Sequence, residues 1–174
     1  MRERKRLQQI VTLAMFVAIG LIIWVIEEFI PRPLPFIKFG LANIVSLLAL
    51  LLYGYRQALI VTLMRILLGN IILGKLGTPA FLVSMVAGTA SIGVVIIYFK
   101  LQDRLFSIIG LSILGAFTHN IAQIAVVFVA LSLKEQIFYL IPFLALSSIV
   151  TGGLVGLITA FLLSPLINIR STRH

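Results

Sequence analysis

The chain has 174 residues, of which 61% are hydrophobic and only 11% are charged, and its formal net charge is +9. Uncharged apolar runs of about 20 residues, the length that a helix needs to cross a bilayer, recur along most of the chain, so the composition indicates an integral membrane protein and leaves little room for a soluble domain. Apart from RERKR at residues 2–6, the basic residues are scattered between apolar runs, which is typical of membrane topology and not of nucleic-acid binding.

Six membrane-spanning helices are predicted, within a single transmembrane domain over residues 1–174. The predicted spans cover residues 9–28, 39–54, 56–73, 79–99, 105–131 and 137–163. The first apolar run is long and ends without a small-residue cleavage site, so it is interpreted as a helix and not as a removed signal peptide. The second and third spans are short and nearly continuous, which leaves open a five-helix arrangement or a re-entrant hairpin.

The distribution of Lys and Arg predicts that both termini are cytoplasmic. With that orientation nine of these residues lie on the inside, four lie on the outside, and Arg65 is left within a span. Cytoplasmic loops carry the excess of positive charge in membrane proteins, so an N-in, C-in topology is favoured. An odd number of spans would place the basic C-terminal tail outside.

The stretch GNIILGKLGTP, residues 69–79, comes within one residue of a phosphate-binding loop. Such a loop needs Ser or Thr after the Lys, a strand before it and a helix after it. Here Leu76 follows Lys75, and the segment joins two membrane spans. We predict instead a tight turn in which Gly74 and Gly77 adopt unusual backbone angles and Pro79 begins the next helix.

Arg65 is the one formally charged side chain well inside a predicted span. An ionisable group at the bilayer centre costs about 2.5 to 3.5 kcal/mol on insertion scales, so it needs a partner or a function. A guanidinium can hold a carboxylate or phosphate through two hydrogen bonds, so one interpretation is that Arg65 binds the ligand. The alternatives are a structural pair with Glu27 or Glu28 at the outer end of the first span, or capture of backbone carbonyls.

The fifth span carries the polar sequence THNIAQ, which places His119, Asn120 and Gln123 close together on one helix. This cluster could grip a substrate, or it could join helices through hydrogen bonds. One imidazole without Cys, Asp or Glu nearby is a poor metal site, and the chain has no Cys. No metal and no cofactor are therefore predicted.

Further candidate substrate-binding residues lie in the outer part of the membrane: Lys38, Asn43, Asn70 and Ser147. Hydroxyl side chains often bond their own helix backbone, so only convergence in the fold would mark a site. Lys38 could attract an anionic ligand or rest among lipid headgroups. Because Lys38 and Lys75 add positive charge to that of Arg65, we predict a ligand that is anionic or rich in electrons.

Ala14 and Ala18 form a small-xxx-small patch on the first span, where another helix could approach closely. Gly152 and Gly156 form a second patch on the sixth span, and packing within the monomer is the alternative for both. All five acidic residues fall at predicted helix ends or joints, so coupling to protons or sodium is not indicated. A partner subunit is therefore expected to supply the energy.

Six short helices, the Ala14-x-x-x-Ala18 pair and the outer PRPLP loop resemble the substrate-binding S components of energy-coupling factor (ECF) vitamin transporters. More narrowly, residues 35–54, 65–91 and 115–123 resemble the Gx transporter family, often labelled heptaprenyl diphosphate synthase component I. The quoted segments are PFIKFGLANIVSLLALLLYG, RILLGNIILGKLGTPAFLVSMVAGTAS and GAFTHNIAQ.

The resemblance implies a protein of the prokaryotic plasma membrane that captures a vitamin-like or cofactor-like molecule near the outer ends of its helices. Ala14 and Ala18 would then face a membrane coupling subunit, which works with two ATPase subunits. Prenyl diphosphate synthases bind diphosphate through aspartate-rich motifs, and the only Asp here is Asp103, so the chain alone is not expected to be an enzyme. A non-catalytic membrane subunit or a carrier linked to isoprenoid or quinone biosynthesis is the alternative.

Overall fold

A computed structural model of the chain describes residues 2–30, 40–101, 107–131 and 139–171. These ranges form six α-helices: α1 (Arg2–Phe29), α2 (Asn43–Tyr53), α3 (Tyr55–Ile72), α4 (Pro79–Leu101), α5 (Ile108–Leu131) and α6 (Ile141–Ser171). All except α2 are long and apolar enough to cross a membrane. The prediction of an all-α, multi-pass membrane protein is confirmed.

The helix bounds differ most from the predicted spans at α1, α2 and α6. Helix α1 begins at Arg2 because RERKRLQQ consists of good helix formers. The part of α1 that is apolar enough to span a membrane covers Arg6–Phe29. Helix α6 continues through Pro165 to Ser171. Helix α2 has 11 residues, and at about 1.5 Å per residue it is too short to cross the roughly 30 Å of a bilayer core.

Gly54 joins α2 to α3 as a single residue between the two helices. Its φ of 94° lies in the left-handed region that side chains other than glycine rarely adopt. The two helices therefore fold back on each other as an antiparallel pair. The second and third predicted spans thus meet in a tight hairpin, of which only the second arm, α3, has the length of a membrane span.

The helices surround a central space. Helix α2 contacts α3, each helix from α3 to α6 contacts the next, and α6 returns to α2, while α1 packs against α2 and α3. Helices α1 and α3 run parallel, since Gly20 lies beside Arg65 and Trp24 beside Gly69. We call the end at which α1 and α3 finish and α2 and α4 begin the upper end; the predicted topology places it outside the cell.

Helix α2 supplies the centre of the apolar core, where Val45, Leu47 and Leu50 pack against residues of α3, α4 and α5. Its residues from Ile44 to Leu50 are all buried. Large apolar side chains are instead exposed on the outer faces of the longer helices. This distribution suits a bundle whose outside faces lipid.

The turn between α3 and α4 has the predicted form. Gly74 and Gly77 have φ values of 64° and 77°, and α4 begins at Pro79. The hydroxyl of Thr78 accepts a hydrogen bond from the Phe81 backbone N–H at 3.3 Å, as an N-cap does. The resemblance to a phosphate loop is therefore produced by a helix end followed by a turn.

The two small-residue patches have different surroundings. Gly152 and Gly156 pack against the α5 backbone, at Ile113 and Ile109 respectively. Ala14 and Ala18 are exposed on the outer face of α1. The α6 patch therefore packs within the monomer, whereas the α1 patch lies open on the surface.

Candidate functional site: a polar pocket within the helix bundle

A pocket lies inside the bundle, with residues of all six helices in its wall. The empty space inside it is about 1020 Å³, a volume that includes the part open to the outside. Apolar side chains such as Trp24, Ile66 and Val83 form much of the wall. The polar side chains in the wall are Glu27, Asn43, Ser46, Thr62, Arg65, Ser84, Ser91, Ser112, His119, Asn120, Gln123 and Thr151.

Arg65 projects from α3 into this wall and is only 5% exposed. One terminal nitrogen, Nη2, donates to Asn43 Oδ1 at 2.9 Å, while Nε has no hydrogen-bond partner among the described residues. Gly20 makes room for this side chain, because a Cβ there would lie 3.0 Å from Arg65 Cδ. The guanidinium therefore keeps hydrogen-bonding capacity in a buried place.

Glu27 is the second buried charge of the pocket, at 3% exposure. Its Oε1 accepts a hydrogen bond from the Gly40 backbone N–H. Glu27 interacts electrostatically with Arg65, but no direct ion pair joins these two described residues. The sequence analysis considered Glu27 only as a structural partner for Arg65, whereas the structure places its carboxylate in the pocket wall.

Glu28 and Lys75 form an ion pair across the upper ends of α1 and α3. The structural pair between Arg65 and Glu28 that the sequence allowed is therefore not formed. The positive charge predicted for Lys75 at the rim is compensated by this carboxylate. Lys38, the other predicted rim residue, lies outside the described residues.

The polar cluster of α5 is present, and His119, Asn120 and Gln123 all line the pocket. Asn120 also joins α5 to α6, because its Nδ2 donates to Ser148 Oγ at 2.8 Å and to the Leu144 carbonyl at 3.2 Å. Its amide nitrogen therefore serves the packing of α5 against α6. For Asn120 the structure shows the hydrogen bonds between helices, and substrate binding by this residue stays a prediction.

Two predicted site residues lie outside the pocket wall. Asn70 is fully buried, and its Nδ2 donates to the Ile66 carbonyl of its own helix at 2.7 Å. It lies five residues after Arg65, a rotation of about 140° on a helix, so it cannot share the face of Arg65. Ser147 Oγ donates to the Leu144 carbonyl at 3.0 Å and lies 3.4 Å from Asn120 Nδ2. Ser147 therefore contacts a residue of the pocket wall without lining the pocket itself.

Several wall residues, above all Trp24 and Thr62, were not predicted from the sequence. Gly20, Trp24 and Glu27 follow each other at spacings of four and three residues, which is the period of a buried helix face. That stripe was a readable signal for the inner face of α1. Thr62 Oγ1 lies 2.9 Å from Ser46 Oγ, a contact between helices that no local pattern indicates.

The fold and the pocket define a multi-pass, α-helical membrane protein with a polar cavity inside its bundle. Among the described residues no group of three or more His, Asp or Glu side chains could hold a metal ion. The family model described as heptaprenyl diphosphate synthase component I matches residues 16–162. The chain belongs to this family, and the narrower resemblance drawn from the sequence is confirmed.

No curated protein and no solved structure matches the chain. The family description speaks of one component, which implies partner subunits in a membrane setting. With one Asp in its whole sequence the chain lacks an aspartate-rich diphosphate site.

Proposed function

We propose that the chain is the substrate-binding subunit of an ECF-type importer, which captures a small vitamin-like or cofactor-like molecule from the outer face. The observation that carries the proposal is Arg65, which is buried in the wall of the pocket and whose Nε has no hydrogen-bond partner among the described residues. An anionic group of the ligand would complete its hydrogen bonds. A membrane coupling subunit and two ATPase subunits would then drive release to the inside.

The energetics of burial support a binding role for Arg65. A desolvated guanidinium is destabilising unless its donors are satisfied. Among the described residues Asn43 accepts one of its hydrogen bonds, and Nε has no partner. The planar guanidinium suits two parallel hydrogen bonds to a carboxylate or phosphate. His119 and Gln123 stand in the same wall as further polar contacts. A ligand with an anionic group would therefore give the Arg65 guanidinium hydrogen bonds that the described protein groups do not supply.

The open face of α1 supports a partner in the membrane. Only 11% of the membrane-spanning window of α1 is buried in the monomer, and Ala14 and Ala18 lie exposed there among larger apolar side chains. Two small residues one turn apart allow another helix to approach closely. This is the surface that we propose for the coupling subunit.

The family description favours a second candidate function. The chain could be the non-catalytic membrane subunit of a heptaprenyl diphosphate synthase, or a carrier of an isoprenoid or quinone precursor. The two functions share the pocket but differ in the partner. Copurification with a prenyl-elongating subunit, without ATPase subunits, would favour this candidate over the importer.

The pocket assignment is tested with Arg65→Met. After native mass spectrometry has identified a compound that copurifies, its affinity is measured through the fluorescence of Trp24, which is the chain's only tryptophan and lines the pocket. We expect a loss of about 2 to 5 kcal/mol, because the ligand charge would be left desolvated and unpaired. Arg65→Lys should also weaken binding, since an ammonium cannot form the two parallel bonds.

Lys75→Met is the matched control, because it removes a positive charge in the turn that follows α3, outside the pocket wall. It should lower thermal stability slightly and leave the affinity unchanged. Normal affinity in a destabilised Arg65→Met protein would show that Arg65 is structural and would remove it from the site.

The partner surface is tested with the double variant Ala14→Leu, Ala18→Leu. Bulk at these two positions should prevent close helix approach, so coupling-subunit capture and uptake should be lost while the pocket still binds its ligand. Met15→Leu with Ile19→Leu is the control, since it changes neighbouring exposed positions without adding bulk. Unchanged capture and uptake in the double Ala variant would refute the docking assignment.

A further inference from the structure

We infer that the pocket recognises a zwitterion, with the anionic group of the ligand at Arg65 and a cationic N–H group at Glu27. The inference rests on the proposed function, since it concerns the ligand of that same pocket. It goes further because it assigns Glu27 a binding role. It also specifies a second charge on the ligand, whereas Arg65 alone indicates only an anion.

The first observation is that the pocket wall holds two opposite charges. Arg65 and Glu27 are both more than nine-tenths buried, and they are the only Arg and the only Glu among the described lining residues, which include no Asp or Lys. They do not form a direct ion pair with each other. Within the part of the chain that the structure describes, each of these two charges therefore lies in the wall without an oppositely charged group in contact.

The second observation explains how the charges are held apart. Asn43 Oδ1 accepts the hydrogen bond from Arg65, and the Asn43 backbone N–H donates to the Gly40 carbonyl at 2.9 Å. The Gly40 N–H in turn donates to Glu27. One short turn, Gly40–Asn43, is thus bound by Arg65 at one end and by Glu27 at the other.

The geometry of this turn depends on glycine. Gly40 has a φ of 71°, in the left-handed region, and a Cβ there would lie 3.2 Å from Asn43 Nδ2. The turn gives Arg65 a neutral acceptor, the Asn43 amide oxygen, and gives Glu27 a neutral donor, the Gly40 N–H. These two hydrogen bonds hold the charged groups in positions where they do not pair directly. It leaves Arg65 Nε unbonded within the described residues.

Electrostatics then select the ligand. An anion bound at Arg65 would also lie near the Glu27 carboxylate, and like charges repel strongly where water is excluded. A cation alone would meet the opposite problem at Arg65. A zwitterion gives each buried charge a counter-charge, so the complex gains two favourable pairs without a net charge in the pocket.

The remaining wall suits the body of such a molecule. Trp24, Ile66 and Val83 present apolar surface to the pocket, which would pack against a carbon skeleton. The Glu28–Lys75 ion pair adds no net charge beside it. The ligand class is therefore a small molecule with an apolar part that carries one acidic and one amine-type group.

The test uses the purified full-length protein in detergent and three series of chemical probes. These are ω-amino carboxylates of increasing chain length, the matching carboxylates without the amine, and the matching amines without the carboxylate. Binding is followed by Trp24 emission and by thermal stabilisation. In the unaltered protein we expect one ω-amino carboxylate to bind more tightly than both of its single-charge analogues by about tenfold or more.

Glu27→Gln provides the matched variant, because the amide oxygen can still accept the bond from Gly40 while the charge is removed. The preference for the ω-amino carboxylate over the matching carboxylate should fall by about tenfold or more in this variant. Glu28→Gln removes the same charge from the next residue, which pairs with Lys75 instead of lining the pocket. The preference should survive in that control.

A carboxylate that binds the unaltered protein as tightly as its ω-amino analogue would overturn the inference. So would a preference that persists in Glu27→Gln, or the absence of binding by every ω-amino carboxylate. The selectivity of the unaltered protein decides the question even if Glu27→Gln fails to fold. If in addition no compound copurifies with the protein, the proposed function fails as well, whereas a copurified simple anion would leave it standing.

Discussion

Trp24 shows how a single side chain shapes the pocket. It is nearly buried, lines the cavity, and packs against α3 at a residue without a side chain. A Cβ at Gly69 would lie 2.5 Å from the Cε3 and Cζ3 atoms of the Trp24 ring. The indole can therefore occupy this part of the wall only because position 69 is glycine.

We expect Gly69→Ala to push the indole of Trp24 toward the pocket. The clash should destabilise the fold by about 1 to 3 kcal/mol, as overpacking usually does, and it should shift the Trp24 emission and weaken ligand binding. Gly93→Ala on α4 is the control, because a Cβ there meets nothing within 4 Å. Equal emission and equal stability of Gly69→Ala and the unaltered protein would contradict this account of the wall.

The α5–α6 hairpin shows how elements are held together where apolar burial contributes little. Lipid is as apolar as the helix surface, so close packing and hydrogen bonds must stabilise the pair. Gly152 and Gly156 let the α5 backbone approach closely. A Cβ added at Gly152 would lie 2.7 Å from Ile113 Cα, and one added at Gly156 would lie 2.6 Å from Ile109 Cα. The Asn120 amide adds its bond to Ser148 at 2.8 Å.

Alanine at Gly152 or Gly156 should therefore separate the two helices. Because each added methyl group would meet backbone atoms, which cannot rotate away, we expect a loss of about 1 to 3 kcal/mol in thermal or denaturant stability for each change. Gly153→Ala is a close control, since position 153 lies next to Gly152 but has open space around its Cβ. Destabilisation of all three variants by the same amount would indicate a general effect of helix glycines and not of this contact.

The wall of the pocket reaches from Glu27 and Gly40 at the upper end of the bundle to Leu111 near the lower end of α5. Its use as an uptake site requires that the upper end face outside. The distribution of Lys and Arg predicts this orientation. The sequence has no cysteine, so single cysteines can be introduced without removing any. Leu76, in the upper α3–α4 turn, and Ser107, at the start of α5 near the lower end, are both exposed positions for this purpose.

In intact cells Leu76→Cys should react with a membrane-impermeant maleimide, whereas Ser107→Cys should react only after the membrane is permeabilised. Both positions are exposed, and the predicted topology assigns them to opposite sides of the membrane. The reverse pattern would place the pocket toward the cytoplasm and would exclude capture of an external substrate.

The class of fold and the membrane setting follow from local properties of the sequence. Apolar length and charge distribution predict helices that cross a bilayer, because the cost of burying polar groups in lipid is set residue by residue. The same reasoning identified Arg65 as a buried cation and grouped His119, Asn120 and Gln123 on one helix. Residue spacing along a single helix is sufficient to predict that these three side chains lie close together.

Which of these groups meet is a property of packing between helices. Glu27 lines the pocket because α1 lies parallel to α3, and its carboxylate accepts a hydrogen bond from Gly40. Asn70 does not line the pocket, because it lies on a different face of α3 from Arg65. Lys75, in the turn after α3, forms an ion pair with Glu28 at the end of α1. These contacts join residues far apart in the chain, and their geometry depends on close approaches at glycines and on interhelical hydrogen bonds, which have no periodic signature in the sequence.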